Sequence, residues 1–222
     1  MADDALPEGA LAAALAGGDV AACILAGGGS AGGDEARLID ARLVEARSTE
    51  TQLTEAQLIE ARLAALVALV RGFGVAAIVA GDPALAERVG ADGVHATHGA
   101  APLRRRDDLA LGVGARTRDA AMEAGEVGAD YVFFGRLLRD THPEPHPGSL
   151  DLARWWANVA TVPCIAPGGT DPASAVAVAE TGADFVALRS AIFEADNPGE
   201  MVGRVDAMLD AAVADGRAPR FE

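Results

Sequence analysis

Short apolar runs alternate with helical patterns along most of this chain. Each run has the length of a buried strand, and the segments between runs often carry a proline near their start and a glycine just after their end. The predicted strands are Val20–Ala26, Val75–Ala80, Gly93–Ala96, Leu109–Val113, Tyr131–Phe134, Val162–Ala166 and Phe185–Leu188. The predicted helices include Pro83–Val89, Arg118–Val127, Leu150–Val159 and Pro172–Glu180. This alternation predicts an α/β fold in which helices wrap a parallel sheet.

The phrase Gly-Ala-Asp occurs three times where a predicted helix ends and a strand begins. The copies are Gly90–Asp92, Gly128–Asp130 and Gly182–Asp184. Glycine readily adopts the left-handed conformation that ends a helix, so these phrases predict turns that lead from helix to strand. Their acidic side chains then lie at the amino-terminal ends of the strands, and we interpret them as structural.

Two regions depart from this rhythm. Residues 30–71 contain the near-repeats Leu38–Leu43 and Leu58–Leu63, which favour a helical insertion after the first visible strand. The charged faces of such helices are typical of solvated surface, although they are also compatible with a contact in a homo-oligomer. Residues 1–16 have a helical pattern, so no first strand is recognisable before Val20.

Composition narrows the possible partners and location. The 222 residues fit one domain, residues 1–222, and the net charge of −15 argues against nucleic acid and acidic membranes as partners. Arg71 interrupts the longest apolar region, residues 63–80, so no membrane span is expected. Cys23 and Cys164 lie inside apolar runs, where buried reduced thiols are favoured over a disulfide, and this indicates the cytoplasm.

Candidate chemistry lies where the last two predicted strands end. The first of them is followed by Gly168 and Gly169, and the second by Arg189 and Ser190. Parallel strands joined by a helix open on one rim, where unpaired backbone N–H groups can bind an anion. We therefore predict a phosphate site formed by Gly168, Gly169 and Ser190, to which Arg189 adds charge. The alternative is that the glycines only make a tight turn.

Four motifs lie on the predicted strands and at their ends, namely Ala91–His95, Gly128–Gly135, Ala166–Gly169 and Gly182–Ile192. Together they resemble the thiamine phosphate synthase and thiazole tautomerase superfamily, and their order and spacing match from Val75 to Phe193. The resemblance implies a (β/α)8 TIM-barrel fold. It also implies one of two activities: a synthase that joins hydroxymethylpyrimidine diphosphate to thiazole phosphate with Mg²⁺ and releases pyrophosphate, or a tautomerase that acts on thiazole phosphate without metal.

The resemblance assigns roles to individual residues and exposes departures. Gly168, Gly169 and Ser190 match the thiazole-phosphate cradle, whereas Asp82 follows the position of the family's Asn-Asp pair and is the candidate Mg²⁺ ligand. His95 matches a histidine of the family pattern, and it is either a ligand contact or a core histidine.

Other positions differ from the family pattern. A second carboxylate ligand is missing, because its position falls within residues 97–100, and the family's diphosphate-binding lysine is replaced by His142. His142 is then a candidate acid or hydrogen-bond donor, and a plain polar loop is the alternative.

Three functions are compatible with these residues. The first two make the protein an enzyme. The first is a thiamine phosphate synthase-like transferase of thiamine biosynthesis. The second is a metal-free isomerase acting on thiazole phosphate, with His95 or His142 as acid or base. The third is a catalytically silent homologue that only binds a phosphorylated small molecule.

Overall fold

The fold is a sheet of eight parallel strands curled into a TIM-barrel-like (β/α)8 arrangement, in which each strand pairs with the next one along the chain. A computed structural model describes residues 1–3, 6–27, 55–96, 108–138 and 140–219. The strands are β1 (Ala2–Asp3), β2 (Ala22–Ala26), β3 (Ala76–Ala80), β4 (Gly93–Ala96), β5 (Ala110–Ala115), β6 (Tyr131–Phe134), β7 (Cys164–Pro167) and β8 (Phe185–Ala187). The helices are α1 (Glu8–Leu15), α2 (Glu55–Gly72), α3 (Pro83–Arg88), α4 (Arg118–Glu126), α5 (Pro147–Val159), α6 (Ser174–Ala179), α7 (Ser190–Phe193) and α8 (Pro198–Ala214).

Side chains alternate between the interior of the barrel and the layer of helices. On β6, Phe133 packs with Ile24 and Ile78 of the interior. Its neighbours Val132 and Phe134 instead pack in the cluster formed with α4 and α5. This period of two is what a strand buried on both faces requires, and it explains why the strands read as continuous apolar runs.

The first strand is a short one that the sequence pattern does not reveal. Ala2 pairs with Leu25 and Asp3 with Ala26, and the amino group of Met1 donates to the carbonyl of Leu188 at 2.9 Å, beside the end of β8. The prediction that residues 1–16 are helical is therefore wrong at its start, since α1 begins only at Glu8. Two residues are too few to show a strand period.

The three Gly-Ala-Asp turns are confirmed as structural. Gly90, Gly128 and Gly182 have positive φ angles of 72°, 78° and 87°. Each aspartate that follows accepts the backbone N–H of a residue on the preceding strand. The pairs are Asp92 with Ala77 (2.9 Å), Asp130 with Leu111 (2.8 Å) and Asp184 with Cys164 (2.7 Å). These contacts tie the amino-terminal ends of neighbouring strands together.

The predicted helical insertion is in part an ordinary crossover. The second repeat, Leu58–Leu63, lies in α2, which connects β2 to β3. Leu63, Leu66 and Val70 of this helix are completely buried in the main core cluster. The first repeat, Leu38–Leu43, lies outside the described residues.

Both cysteine side chains occupy the core as predicted, and the side chain of Trp156 lies there too. Cys23 and Cys164 are buried and free, and burial raises the pKa of both thiols, that of Cys164 to about 12. Trp156 is buried and its indole N–H donates to the carbonyl of Val162 at 2.7 Å. Among the helices that the structure describes, none combines the length and apolarity needed to cross a bilayer.

Candidate active site

Segments that follow β6, β7 and β8 meet at the carboxyl-terminal rim of the barrel. The backbone N–H of Thr170 donates to the carbonyl of His142 at 2.8 Å, and that of Asp171 donates to Pro143 at 3.2 Å. The loop after β6 thus lies directly against the glycine turn after β7. Two of the predicted site elements, the histidine loop and the phosphate turn, are brought together by these backbone contacts.

The glycine turn is shaped by the protein's own backbone. The N–H of Gly168 donates to Ala187 at 2.9 Å, and the N–H of Gly169 donates to the Ser174 hydroxyl at 2.8 Å. A Cβ atom at Gly169 would lie 2.1 Å from the carbonyl oxygen of Pro143. Glycine is therefore required at position 169 for the close approach of the loop after β6.

Asp140 is the site residue that sequence reasoning missed. Its side chain is only 4% exposed, and its Oδ2 atom accepts the backbone N–H of Ser190 at 2.6 Å. Its Oδ1 atom lies 4.0 Å from Nη1 of Arg189 and has no hydrogen-bond partner among the described residues. The same Arg189 atom donates to the Ser190 hydroxyl at 3.3 Å. A negative charge therefore already lies at the strand end where a phosphate was predicted.

The two histidines after β6 have different surroundings. The side chain of His142 is exposed at the rim, while its carbonyl holds the glycine turn. The Nδ1 atom of His146 accepts the N–H of Gly148 at 3.1 Å, so this residue caps the start of α5. Of the two, His142 keeps its imidazole available at the predicted site.

His95 faces the interior of the barrel and is 1% exposed. Its Nδ1 atom is 3.1 Å from the Tyr131 hydroxyl, the two rings stack at 5.7 Å, and Phe133 packs edge-on at 5.4 Å. Burial lowers the pKa of His95 to about 4 and raises that of Tyr131. At neutral pH both side chains are therefore uncharged, and they form a hydrogen bond inside the barrel.

Asp82 lies at the rim immediately after β3. Its carboxylate is exposed and accepts the N–H of Ala84 at 3.0 Å, which caps α3. Within the described ranges, no three acidic, histidine or cysteine side chains are grouped as a metal site. Residues 97–100, where the family pattern places the second carboxylate ligand, lie outside those ranges. One carboxylate suits an Mg²⁺ ion that takes its remaining ligands from water and a substrate phosphate.

Neither of two cavities lined by described residues brings the predicted site residues together. A cavity of about 840 Å³ lies between α1, α8 and β8, with mainly apolar walls, and none of the predicted site residues lines it. A smaller cavity of about 290 Å³ borders Arg189 and Ser190. The hydrogen bonds at the rim, and not the larger cavity, therefore define the candidate site.

Comparison with known proteins identifies the family. The family model described as thiamine monophosphate synthase matches residues 34–192, which is more than half of the chain. The chain belongs to the thiamine monophosphate synthase family. The matched region includes β6, β7, β8 and the rim contacts described above. The resemblance seen in the motifs is thereby confirmed.

Named relatives of this family align with most of the chain. A thiamine-phosphate synthase of Erythrobacter litoralis is 40% identical over 59% of this chain and 66% of its own length. One of Hyphomonas neptunium is 34% identical over 67% and 71%, and one of Natronomonas pharaonis is 35% identical over 68% and 72%. The alignments thus span about two thirds of these relatives.

Solved structures support the same fold. Thiamine phosphate pyrophosphorylase from Pyrococcus furiosus superimposes with a TM-score of 0.69 at 21% identity, covering 96% of this chain and 94% of its own. A geranylgeranylglyceryl phosphate synthase from Thermoplasma acidophilum gives a TM-score of 0.56 at 15% identity, covering 95% and 91%. At these identities the likeness shows a shared fold.

Proposed function

We propose that this protein is a thiamine phosphate synthase, a transferase that joins hydroxymethylpyrimidine diphosphate to thiazole phosphate and releases pyrophosphate. The observation that carries this proposal is the family match over residues 34–192, together with relatives named thiamine-phosphate synthase at 34–40% identity. The meeting of the β6, β7 and β8 ends at one rim supports a shared site there. Both substrates are phosphorylated small molecules.

The acceptor, thiazole phosphate, is proposed to bind at the ends of β7 and β8. Gly168, Gly169 and Ser190 would surround its phosphate, and Arg189 would supply a local positive charge in a chain whose net charge is −15. Arg189 already points its guanidinium towards the Ser190 hydroxyl, at 3.3 Å. A charge-assisted contact of this kind is stronger than one between neutral groups, which favours binding of a dianion.

His142 and His95 are proposed to have separate roles. The exposed imidazole of His142 would donate a hydrogen bond or a proton to the leaving diphosphate. His95, with its pKa lowered to about 4 by burial, would act as a neutral hydrogen-bonding group beside Tyr131. Its role as a direct catalyst stays a prediction.

Mg²⁺ is proposed as the metal that neutralises the diphosphate of the donor when both are bound. Asp82 would supply its protein ligand, because this carboxylate is exposed at the end of β3, where it accepts the N–H of Ala84. The cytoplasm is the proposed location, and the buried free thiols of Cys23 and Cys164 support a reducing compartment. Association into a homo-oligomer stays a prediction.

A second candidate is a silent homologue that binds phosphorylated ligands without turnover. It is favoured by the single carboxylate at the predicted metal position within the described residues. A metal-free isomerase has no comparable observation in its favour beyond the presence of two histidines. Metal dependence and product formation separate these three functions.

The deciding experiment supplies both substrates and follows thiamine phosphate and pyrophosphate with and without Mg²⁺. We expect both products in equal amounts, only when Mg²⁺ is present. Binding of thiazole phosphate without product would favour the silent homologue, and conversion of a thiazole phosphate tautomer without metal would favour the isomerase. Ser190→Ala should weaken thiazole phosphate binding by roughly 10-fold. The control Thr161→Ala removes an exposed hydroxyl before β7, at the opposite rim, and should leave binding unchanged.

A further inference from the structure

Asp140 is an unusual acid because, within the part of the chain that the structure describes, one of its carboxylate oxygens is buried without a hydrogen-bond partner. Its side chain is 4% exposed, so water does little to solvate the charge. Burying a carboxylate in this way is costly unless nearby donors and cations compensate for the lost hydration. The N-terminal amino group of Met1 interacts favourably with the charge of Asp140. The Ser190 amide and the Arg189 guanidinium, at 2.6 Å and 4.0 Å, are two further compensating groups.

These two compensating groups are the same ones that the proposed function assigns to the ligand phosphate. A carboxylate and a phosphate share the features that matter here, since both are anions whose oxygens accept hydrogen bonds from backbone N–H groups and arginine. Both cannot occupy the Ser190 amide at once, because that N–H is already donated at 2.6 Å and two adjacent anions repel each other.

Asp140 also belongs to a segment that covers other donors of the site. Within residues 140–143, the carbonyls of His142 and Pro143 accept the N–H groups of Thr170 and Asp171. The 140–143 segment therefore occupies three N–H groups at the ends of β7 and β8. Movement of this one segment would release all three for a ligand.

We propose that Asp140 acts as an internal substitute for the ligand phosphate, so that a phosphorylated acceptor binds only by displacing this carboxylate from the Ser190 amide. Asp140 then sets the affinity and selectivity of the site: it weakens phosphate binding in general and leaves only ligands whose other contacts offset the displacement. The inference rests on the proposed phosphate site. It makes Asp140 a specificity-determining residue of that site.

The test is to titrate wild type, Asp140→Ala and Asp140→Asn with inorganic phosphate, with thiazole phosphate and with the unphosphorylated thiazole alcohol. We expect Asp140→Ala to bind the two phosphates roughly 10- to 100-fold more tightly than wild type, and the alcohol equally well. Asp140→Asn keeps an oxygen for the Ser190 amide but removes the charge, so its gain should be smaller. Binding can be followed calorimetrically and by the rise in melting temperature with added phosphate.

The matched control is Glu144→Gln, which removes one negative charge from an exposed position in the same loop. It should leave phosphate affinity within about twofold of wild type, since exposed charges are largely screened. Unchanged or weaker phosphate binding in both Asp140 variants would overturn the inference, as would an equal gain in Glu144→Gln or an equal gain for the alcohol.

Synthase turnover of the wild type, measured in parallel, keeps the two proposals apart. Tighter phosphate binding in the Asp140 variants without any turnover in wild type would contradict the synthase and support the role of Asp140. Normal turnover in wild type, with no gain in phosphate affinity in the Asp140 variants, would support the synthase and contradict the role of Asp140.

Discussion

Carboxylates accept backbone N–H groups at both ends of this barrel, but in different surroundings. At the amino-terminal rim, Asp92, Asp130 and Asp184 each accept an amide of the preceding strand at 2.7–2.9 Å, and each side chain is only partly buried. At the carboxyl-terminal rim, Asp140 accepts the Ser190 amide at 2.6 Å, while its other oxygen is buried and has no hydrogen-bond donor in the described part of the chain. The same type of bond therefore stabilises the fold at one end and leaves a poorly compensated charge at the other.

The difference teaches that an amide-bound carboxylate has to be judged by its second oxygen. Asp92 places its second oxygen 3.4 Å from Arg71 in a partly exposed pair. The second oxygen of Asp140 lies 4.0 Å from Arg189 and has no hydrogen-bond donor among the described residues. A fully compensated acid is expected to be a permanent part of the structure, whereas a poorly compensated one is expected to be displaceable.

The largest effect on stability is expected for the buried side chain of His95. It tests whether this residue stabilises the barrel interior, as the three aspartates stabilise the amino-terminal rim. Its pKa is lowered from 6.5 to about 4 by burial, so the unfolded chain binds more protons between these values. This contribution to stability is complete above pH 6.5 and is lost as the pH falls towards 4, about 3 kcal/mol in total. Urea unfolding of wild type and His95→Gln over this range measures it. Identical pH dependence in the two proteins would contradict the assignment.

The seven longer strands are predictable because their apolar runs and glycine or proline boundaries are local in sequence. Gly93–Ala96 and Tyr131–Phe134 match their predicted bounds, and the three aspartate turns follow from their repeated phrase. β1 is not predictable in this way, because two residues carry no period and its pairing is with residues 25 and 26.

The sequence predicts only those parts of the candidate site that directly follow a strand. Gly168 and Gly169 follow one strand and Ser190 follows the next, so the topology alone brings them to one rim. The contact between Asp140 and Ser190 joins residues 50 positions apart, and that between His95 and Tyr131 joins residues 36 apart. Such contacts depend on loop conformation and barrel register, which no local pattern in the sequence reports.

Removing one carboxylate from each rim sharpens the comparison directly. Asp184→Ala leaves the buried amide of Cys164 unpaired and should lower the free energy of unfolding by about 1–3 kcal/mol. Asp140→Ala should cost less than about 1 kcal/mol, because it also removes a buried charge. Denaturation with and without inorganic phosphate should show that phosphate restores stability only to Asp140→Ala.

The exposed Asp151 on α5 provides the control for this pair. Its side chain is 76% exposed, and Asp151→Ala should change stability by no more than about 0.5 kcal/mol. A phosphate response in Asp184→Ala as large as that in Asp140→Ala would break the distinction between the two rims.

Asp82 carries the smallest expected effect and combines both kinds of role. Asp82 is the N-cap of α3. Asp82→Ala should therefore lower the free energy of unfolding by about 1 kcal/mol, whereas Asp82→Asn should lower it by only about a few tenths of a kcal/mol. If the carboxylate binds Mg²⁺, both variants should need more Mg²⁺ for synthase activity. Thermal unfolding and an Mg²⁺ titration of activity separate the two roles. Unaltered Mg²⁺ dependence in Asp82→Asn would leave a purely structural cap.

The most direct test of the acceptor-phosphate site is the amide resonance of Ser190 in a ¹⁵N-labelled sample of this 22.5 kDa protein. Adding thiazole phosphate should shift the Ser190 amide strongly, together with Thr170 and Asp171, because their acceptors in the 140–143 segment are replaced. The Cys164 amide, held by Asp184 at the opposite rim, should stay in place and serves as the internal reference. Ligand binding that leaves Ser190 unshifted would contradict the assignment of the phosphate site to this rim.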